Sequence, residues 1–247
     1  MITKTDGLVI REQTTGEQDR LVTVLTREMG VIRAFANGVR SPKNKNVSAT
    51  GLLCYSDFSI YKTGNGVYVI REASPKQVFF SLREDIIRLS LAQYFAELAY
   101  ELAPREERSD EFLRVILNSV YFISEGKKDA LLVKAATELR MLSLSGYMPS
   151  IVACDTCGTY ESENMFFSVN TGRLFCDKCV PEEKTVKLGL GVVTAMRHIC
   201  FAPVEKVFSF SLSKDGLMAL EAITERYLKS VTMKHYKTLD FYKSMTQ

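Results

Sequence analysis

The chain of 247 residues is 46% hydrophobic and 25% charged, a composition that excludes a disordered or fibrous protein and, at this length, admits one to two domains. No apolar run approaches the ~18 residues that a membrane-crossing helix needs, so a membrane-spanning protein is excluded. Thirty-two basic against 29 acidic residues leave only +3, too little to argue for a polyanionic partner from the total, but residues 1–80 and 183–247 each carry +4 while 81–150 and 151–182 carry −2 and −3.

From Leu8 to Ala73 apolar and polar residues alternate and β-branched types are common, which is a strand pattern. Five runs stand out: Leu8 to Arg11, Arg20 to Thr26, Val31 to Ala36, Leu52 to Tyr61 and Val67 to Glu72. Turn signals fall between them at Thr15-Gly16, Met29-Gly30 and Gly64-Asn65-Gly66. Five short strands with one longer loop predict a small barrel; an OB-fold has this size and commonly binds oligonucleotides, while an SH3-like barrel or a small sandwich gives the same alternation.

After Pro75 the period changes to that of a helix. Ile87, Leu91, Phe95, Leu98 and Leu102 place an amphipathic helix over 85–102, ended by Pro104. Ser109 caps a second helix with Phe112, Val115, Ile116, Val120 and Ile123 in one stripe and Gly126 at its end. Asp129 precedes a third that closes at Gly146. Helices resume at Gly191 to Cys200 and Ser213 to Lys234. The expected organisation is α+β and multidomain: a five-stranded barrel over 1–80, then a helical domain from 81–150 and 183–247, interrupted by a four-cysteine insert at 151–182.

Cys154-x-x-Cys157, 18 residues, then Cys176-x-x-Cys179 has the spacing of a four-thiolate zinc site. Four protein sulfurs fill a tetrahedral ion and leave no position for substrate water, so the one ion expected is structural. The insert has few large apolar side chains, chiefly Phe166, Phe167, Leu174 and Phe175, and zinc binding would contribute to its folding. Redox Cys-x-x-Cys pairs or chance buried cysteines are the alternatives, but nothing nearby resembles a thioredoxin-like unit. The N-terminus lacks the basic-then-apolar order of a secretion signal, so a cytoplasmic, reducing setting is expected, without disulfides. Cys54 and Cys200 read as small buried hydrophobes.

Between Val31 and Thr50 there are four basic residues, Arg33, Arg40, Lys43 and Lys45, and no acidic one. Repeated positive charge of this kind suits a phosphate backbone, and Phe35, Tyr55, Phe58, Tyr61 and Tyr68 on neighbouring strands offer ring faces for base stacking. The bland alternative is a solvated loop beside an aromatic barrel core. Lys229, Lys234, Lys237 and Lys243 make a second candidate patch, or merely a helix's wet face. There is no phosphate-gripping glycine loop, no His-Glu-x-x-His and no Gly-x-Ser-x-Gly. With no catalytic residues to name, the chain is not expected to be an enzyme.

Several local motifs run the length of the chain. They are Gly16-Glu17-x-Asp19-Arg20-Leu21-Val22-x-Val24-Leu25-Thr26-Arg27-Glu28-x-Gly30, then Ala36-Asn37-Gly38-Val39-Arg40-Ser41-Pro42-Lys43. Gly146-Tyr147-Met148-Pro149 leads to Cys154-x-x-Cys157-Gly158, Phe167-Ser168 and Gly172-x-Leu174-x-Cys176-x-x-Cys179, and Lys237-Thr238-Leu239-Asp240-Phe241-Tyr242 ends the series. Together they resemble the bacterial RecO family of DNA repair proteins. The resemblance implies a recombination mediator with an N-terminal OB-fold that binds single- and double-stranded DNA, a helical body and a structural Zn2+. It implies strand annealing and, with the partner RecR, help in loading RecA onto DNA covered by single-stranded-DNA-binding protein, whose acidic C-terminal tail is a further point of attachment. It also implies a cytoplasmic, nucleoid-associated protein. By position, Arg33, Arg40, Lys43 and Lys45 become the DNA-binding candidates and Cys154, Cys157, Cys176 and Cys179 the zinc ligands. Reading the residues without the resemblance leaves a zinc-ribbon adaptor with weak DNA binding, or a metal-dependent nuclease, as alternatives.

Overall fold

The computed structural model describes residues 2–39 and 47–246. Five strands close into a barrel: β1 (Ile2–Thr15), β2 (Asp19–Thr26), β3 (Gly30–Ala36), β4 (Cys54–Lys62) and β5 (Tyr68–Val78), in the order β1-β2-β3-β5-β4. β1 pairs antiparallel with both β2 and β4, and β5 closes the circle by running parallel to β3, with Ala34 opposite Tyr68 and Phe35 opposite Val69. This is the five-stranded OB arrangement, and it decides among the architectures that alternation left open. Closure removes the exposed strand edges that an open sheet of this size would carry.

β1 reaches both neighbours because it is long and carries a bulge. Its register with β2 slips between Val9 and Arg11, so that Val9 faces Val24, Arg11 faces Thr23 and Ile10 is the extra residue. Leu8, Val9 and Ile10 are therefore all buried, and the next side chain, Arg11, is exposed. The barrel interior is filled by Val9, Val22, Val24, Ile32, Ala34, Phe58, Ile60 and Ile70 among others. Each large aliphatic or aromatic side chain among them contributes roughly 1.5–3 kcal/mol by leaving water.

Two compact units make up the chain. One is residues 1–126 with 236–247; the other is 127–235. The first holds the barrel, α1 (Ile86–Leu102), α2 (Asp110–Glu125) and, from the far end of the sequence, a helix over Lys237–Thr246. Asp85 caps α1 by accepting from the amides of Ile87 and Arg88 at 2.9 and 3.0 Å. Gly126 ends α2 with φ of +61°, as expected of a C-terminal glycine. Ser109 sits at the start of α2 but makes a different bond: its hydroxyl donates to the Thr26 carbonyl at 2.6 Å, tying the helix start to the β2–β3 turn. Leu113, rather than Phe112, lies in the buried stripe.

In the second unit α3 (Ala130–Leu144) packs with α4 (Leu190–Phe201) and α5 (Lys214–Thr232). The helix over 237–246 then follows as α6; Met233, at φ of +51°, stops α5 before it. Lys134 is fully buried, with Nζ 2.8 Å from Glu138, 2.7 Å from Glu221 and 2.9 Å from Glu225. Burial opposes its charge, but three carboxylates hold its pKa above the usual lysine value. This pairing fixes the register of α3 on α5, since any slip would strand a buried charge at a cost of several kcal/mol. Between α3 and α4 the cysteine segment forms a three-stranded sheet, β7-β6-β8, from Met165–Ser168 (β6), Arg173–Cys176 (β7) and Val186–Leu188 (β8). No helix among the described residues is long and apolar enough to cross a membrane.

Candidate nucleic-acid interface and metal centre

The cysteine site is built from two turns. In the first, the Cys154 amide donates to the Thr159 carbonyl at 2.8 Å and the Gly158 amide to the Cys154 carbonyl at 2.9 Å, with Gly158 at φ of +72°. In the second, the Cys179 amide donates to the Cys176 carbonyl at 3.0 Å at the end of β7. The four Sγ atoms all lie within 4.8 Å of one another, and Cys157 and Cys176 are 3.6 Å apart. A tetrahedral site with metal–sulfur bonds of about 2.3 Å has sulfur–sulfur edges of roughly 3.8 Å, so the donor set fits a single ion with little movement.

The surroundings favour thiolate at the first turn. The Thr159 hydroxyl and amide lower the Cys157 thiol to about 6. Burial would raise Cys154, but the amides of Cys157, Cys176 and Thr156 turn towards its sulfur and bring it below the ordinary thiol value. Cys179 is pushed up to about 12 by the neighbouring thiols of Cys157 and Cys176, the crowding that a cation would relieve. The segment leans on helices of its own unit: Arg197 of α4 donates to the carbonyls of Ile151 (2.8 Å) and Tyr160 (2.6 Å), and Phe167 meets Tyr227 edge-on at 5.5 Å. Its apolar side thus packs on α5, while α4 holds its backbone. Cys54 and Cys200 are both buried away from the cluster.

One recess on the barrel is a groove of about 1140 Å3 beside β1, β4 and β5. Most of its charges satisfy one another, although Lys4 and Glu72 also line it. Arg27 bonds Asp6 at 2.6 and 2.7 Å and Asp110 at 3.0 Å, Tyr55 donates to Asp6, and Lys76 pairs with Asp57 at 3.2 Å. This is a seam of internal ion pairs rather than a receptive surface.

A second groove, of about 550 Å3, crosses the outer face of β2 and β3. Leu21 and Phe35 stand opposite each other there, Arg33 is exposed opposite Thr23, and Tyr68 and Val67 border it from the start of β5. Arg105, from the loop between α1 and α2, forms another wall. That loop is held by the β2–β3 turn: the Val31 amide donates to the Pro104 carbonyl at 2.8 Å, and Gly30 bridges to Arg105. Gly30 has φ of +58°, and a Cβ there would lie 2.2 Å from the Pro104 carbonyl oxygen, so the close approach requires glycine. Lys62 pairs with Glu106 at 3.3 Å and lies 4.7 Å from the Tyr68 ring centre. The groove therefore offers the Phe35 ring, the Tyr68 ring with Lys62 against one face, and arginine charge without a described carboxylate partner.

Arg33 accordingly lies on an open barrel face, whereas Arg40, Lys43 and Lys45 fall outside the described residues. Of the five aromatics singled out in the sequence, Phe35 and Tyr68 line this groove, Phe58 is buried in the core, Tyr55 serves the Asp6 seam and Tyr61 is half-buried on β4. Lys229 pairs with Glu225 at 2.8 Å, and the C-terminal lysines divide between α5, the turn after it and α6. Arg105 has no basic neighbour in sequence before Arg108 and is followed by Glu106-Glu107, so no local charge signal marks it.

The family model described as Recombination protein O N terminal matches residues 1–79, and that described as Recombination protein O C terminal matches 83–240. The chain belongs to the RecO family. A DNA repair protein RecO from Acetivibrio thermocellus is 33% identical over 243 residues, covering 98% of this chain and 96% of that protein. Relatives of the same name from Caldicellulosiruptor bescii (30% over 240 residues, 97% of each) and Alkaliphilus metalliredigens (26% over 242 residues, 98% and 96%) match over a similar span. The N-terminal RecO match coincides with the barrel, and the C-terminal one contains the cysteine centre.

Proposed function

We propose that this chain is a DNA repair and recombination mediator that binds single- and double-stranded DNA, anneals complementary strands and, with RecR, helps load RecA onto DNA coated by single-stranded-DNA-binding protein. Binding to that protein's acidic C-terminal tail is part of the reading. The observation that carries it is the open β2–β3 face of the barrel, where Arg33 and Arg105 stand beside Phe35 and Tyr68. OB-folds bind oligonucleotides on this face, arginines supply phosphate contacts and the rings accept unstacked bases.

Residues 1–80 then serve as the DNA-binding domain, with Arg40, Lys43 and Lys45 extending the charge beyond β3. The helices of 81–150 and 183–247, which divide between the two compact units, supply the helical part, and 151–182 the zinc insert. Annealing needs no catalytic residue. Two strands repel one another, and a protein that neutralises phosphates while leaving base edges free lowers that barrier; the chain acts as a binder and not as an enzyme, in the cytoplasm and at the nucleoid. Cys154, Cys157, Cys176 and Cys179 would hold one Zn2+, which supplies folding energy to the insert.

The test is the annealing of two complementary oligonucleotides, each coated with the cognate single-stranded-DNA-binding protein, with and without the chain and without ATP. Marked acceleration is expected. Failure to accelerate in the presence of RecR would refute the mediator reading and favour a zinc-ribbon adaptor, and shortened oligonucleotides in magnesium would point to a nuclease.

A further inference from the structure

We infer that Arg11 and Arg105, stacked on Tyr100, form a second phosphate subsite that carries a bound strand out of the β2–β3 groove and along the start of the helical region. The inference rests on the groove binding DNA. The Arg11 guanidinium lies 3.4 Å from the centre of the Tyr100 ring and that of Arg105 4.8 Å from it. Both arginines are exposed, and neither forms an ion pair with a described carboxylate. The acidic side chains around them are engaged elsewhere. Glu12 pairs with Arg20 at 3.5 Å, Glu106 with Lys62 and Tyr68, and Glu97 accepts from Thr238. Glu101, next to Tyr100 in α1, opposes the pull of the arginines on the Tyr100 hydroxyl, yet the hydrogen bond from Arg105 still lowers that hydroxyl's pKa.

Three backbone features converge on this arrangement. The bulge at Ile10 leaves Arg11 exposed opposite Thr23. Gly30 allows the Pro104 carbonyl to close on the barrel, placing Arg105. Glu106 adopts φ of +57°, a conformation rare for a residue with a side chain, and its carboxylate goes to Lys62 and Tyr68. Two like charges are thus brought to one ring without a carboxylate between them, a cost that an anionic ligand offsets. Planar guanidiniums held by stacking keep their N–H edges for oxygen, and paired edges suit phosphate. The arginines occupy the Tyr100 ring, so the subsite would grip backbone without reading bases. Arg105 also borders the groove, making the two surfaces continuous, and this favours a phosphodiester strand over an acidic peptide.

The experiment measures affinity of the full chain for oligothymidylates of roughly 8 and roughly 25 nucleotides, lengths chosen to fill the groove alone or to extend beyond it, over a range of salt. Arg11→Ala should reduce the slope of log affinity against log salt by about 0.7 for the long strand, one phosphate's share, and leave the short strand unaffected. Arg11→Lys should keep that slope with weaker binding, and Tyr100→Leu should weaken the long strand alone. An unchanged long-strand slope in Arg11→Ala, with a reduced one in Arg33→Ala, would overturn the subsite and leave the groove standing. A reduction in Arg11→Ala but not in Arg33→Ala would refute the groove and with it the path out of the groove, leaving Arg11 as an isolated phosphate contact; a reduction in neither would overturn both. Equal weakening for both lengths in Arg11→Ala would also overturn the subsite, as would a polyglutamate peptide that depends on Arg11 when DNA does not.

Discussion

Asp6 sits where β1, the β2–β3 turn and the start of α2 meet, and its ion pair with Arg27 gives the barrel a dependence on pH. Burial alone would raise its pKa, but the bonds from Arg27 and the Tyr55 hydroxyl bring it down to about 2. An unfolded aspartate titrates near ~3.9. The native state therefore holds this proton less tightly; the stabilisation is complete above about pH 4 and is lost as pH falls towards about 2. Asp6→Asn should lower the denaturant midpoint at neutral pH and flatten its fall across that acid window. A variant as acid-sensitive as the parent would show that other carboxylates govern the transition. At this scale the sequence was legible where chemistry is local, as in the two Cys-x-x-Cys pairs. It was silent on Arg11 and Arg105, which are 94 positions apart in the chain and meet only through Tyr100. The loop arginine is also followed directly by two glutamates, so a count of neighbouring charges hides it.

Strands and helices were recovered to the extent that their residues alternate or recur against a single buried face. β2 and β3 match the runs read from the sequence to within a residue, whereas β1 and β5 extend past theirs because the extra length pairs with a second neighbour. The parallel β3–β5 closure has no signal in alternation, since either pairing direction buries the same side chains. β6, β7 and β8 are three or four residues each, too short for a period, and only the cysteines mark their position. That cluster gives the prediction proper to this scale. Native protein should carry one zinc per chain by metal analysis. Its removal by chelation, or Cys176→Ser, should raise amide exchange across residues 151–182 and leave barrel exchange unchanged. Metal-free native protein with full protection there would refute the site.

For the whole molecule, charge placement matters more than net charge. A total of +3 predicts little, yet the exposed face of β2 and β3 gathers arginines whose nearby carboxylates are occupied. Changing Arg33, Arg40, Lys43 and Lys45 together to Glu should flatten the salt slope of single-strand binding by about 0.7 for each phosphate no longer neutralised; an unaltered slope would place the main site elsewhere. The order of the chain has a further consequence. α6 belongs to the unit that begins the sequence: Tyr236 is buried edge-on against Tyr94 of α1, 5.8 Å between centres, and Glu97 accepts from the Thr238 amide at 3.3 Å. During synthesis α1 emerges from the ribosome without the helix that covers it, and the 109 residues of the other unit must be translated first. At ~5–20 residues per second this leaves the apolar flank of α1 uncovered for on the order of 5–20 s, an interval in which a nascent chain would be a target for chaperones although its barrel is already complete.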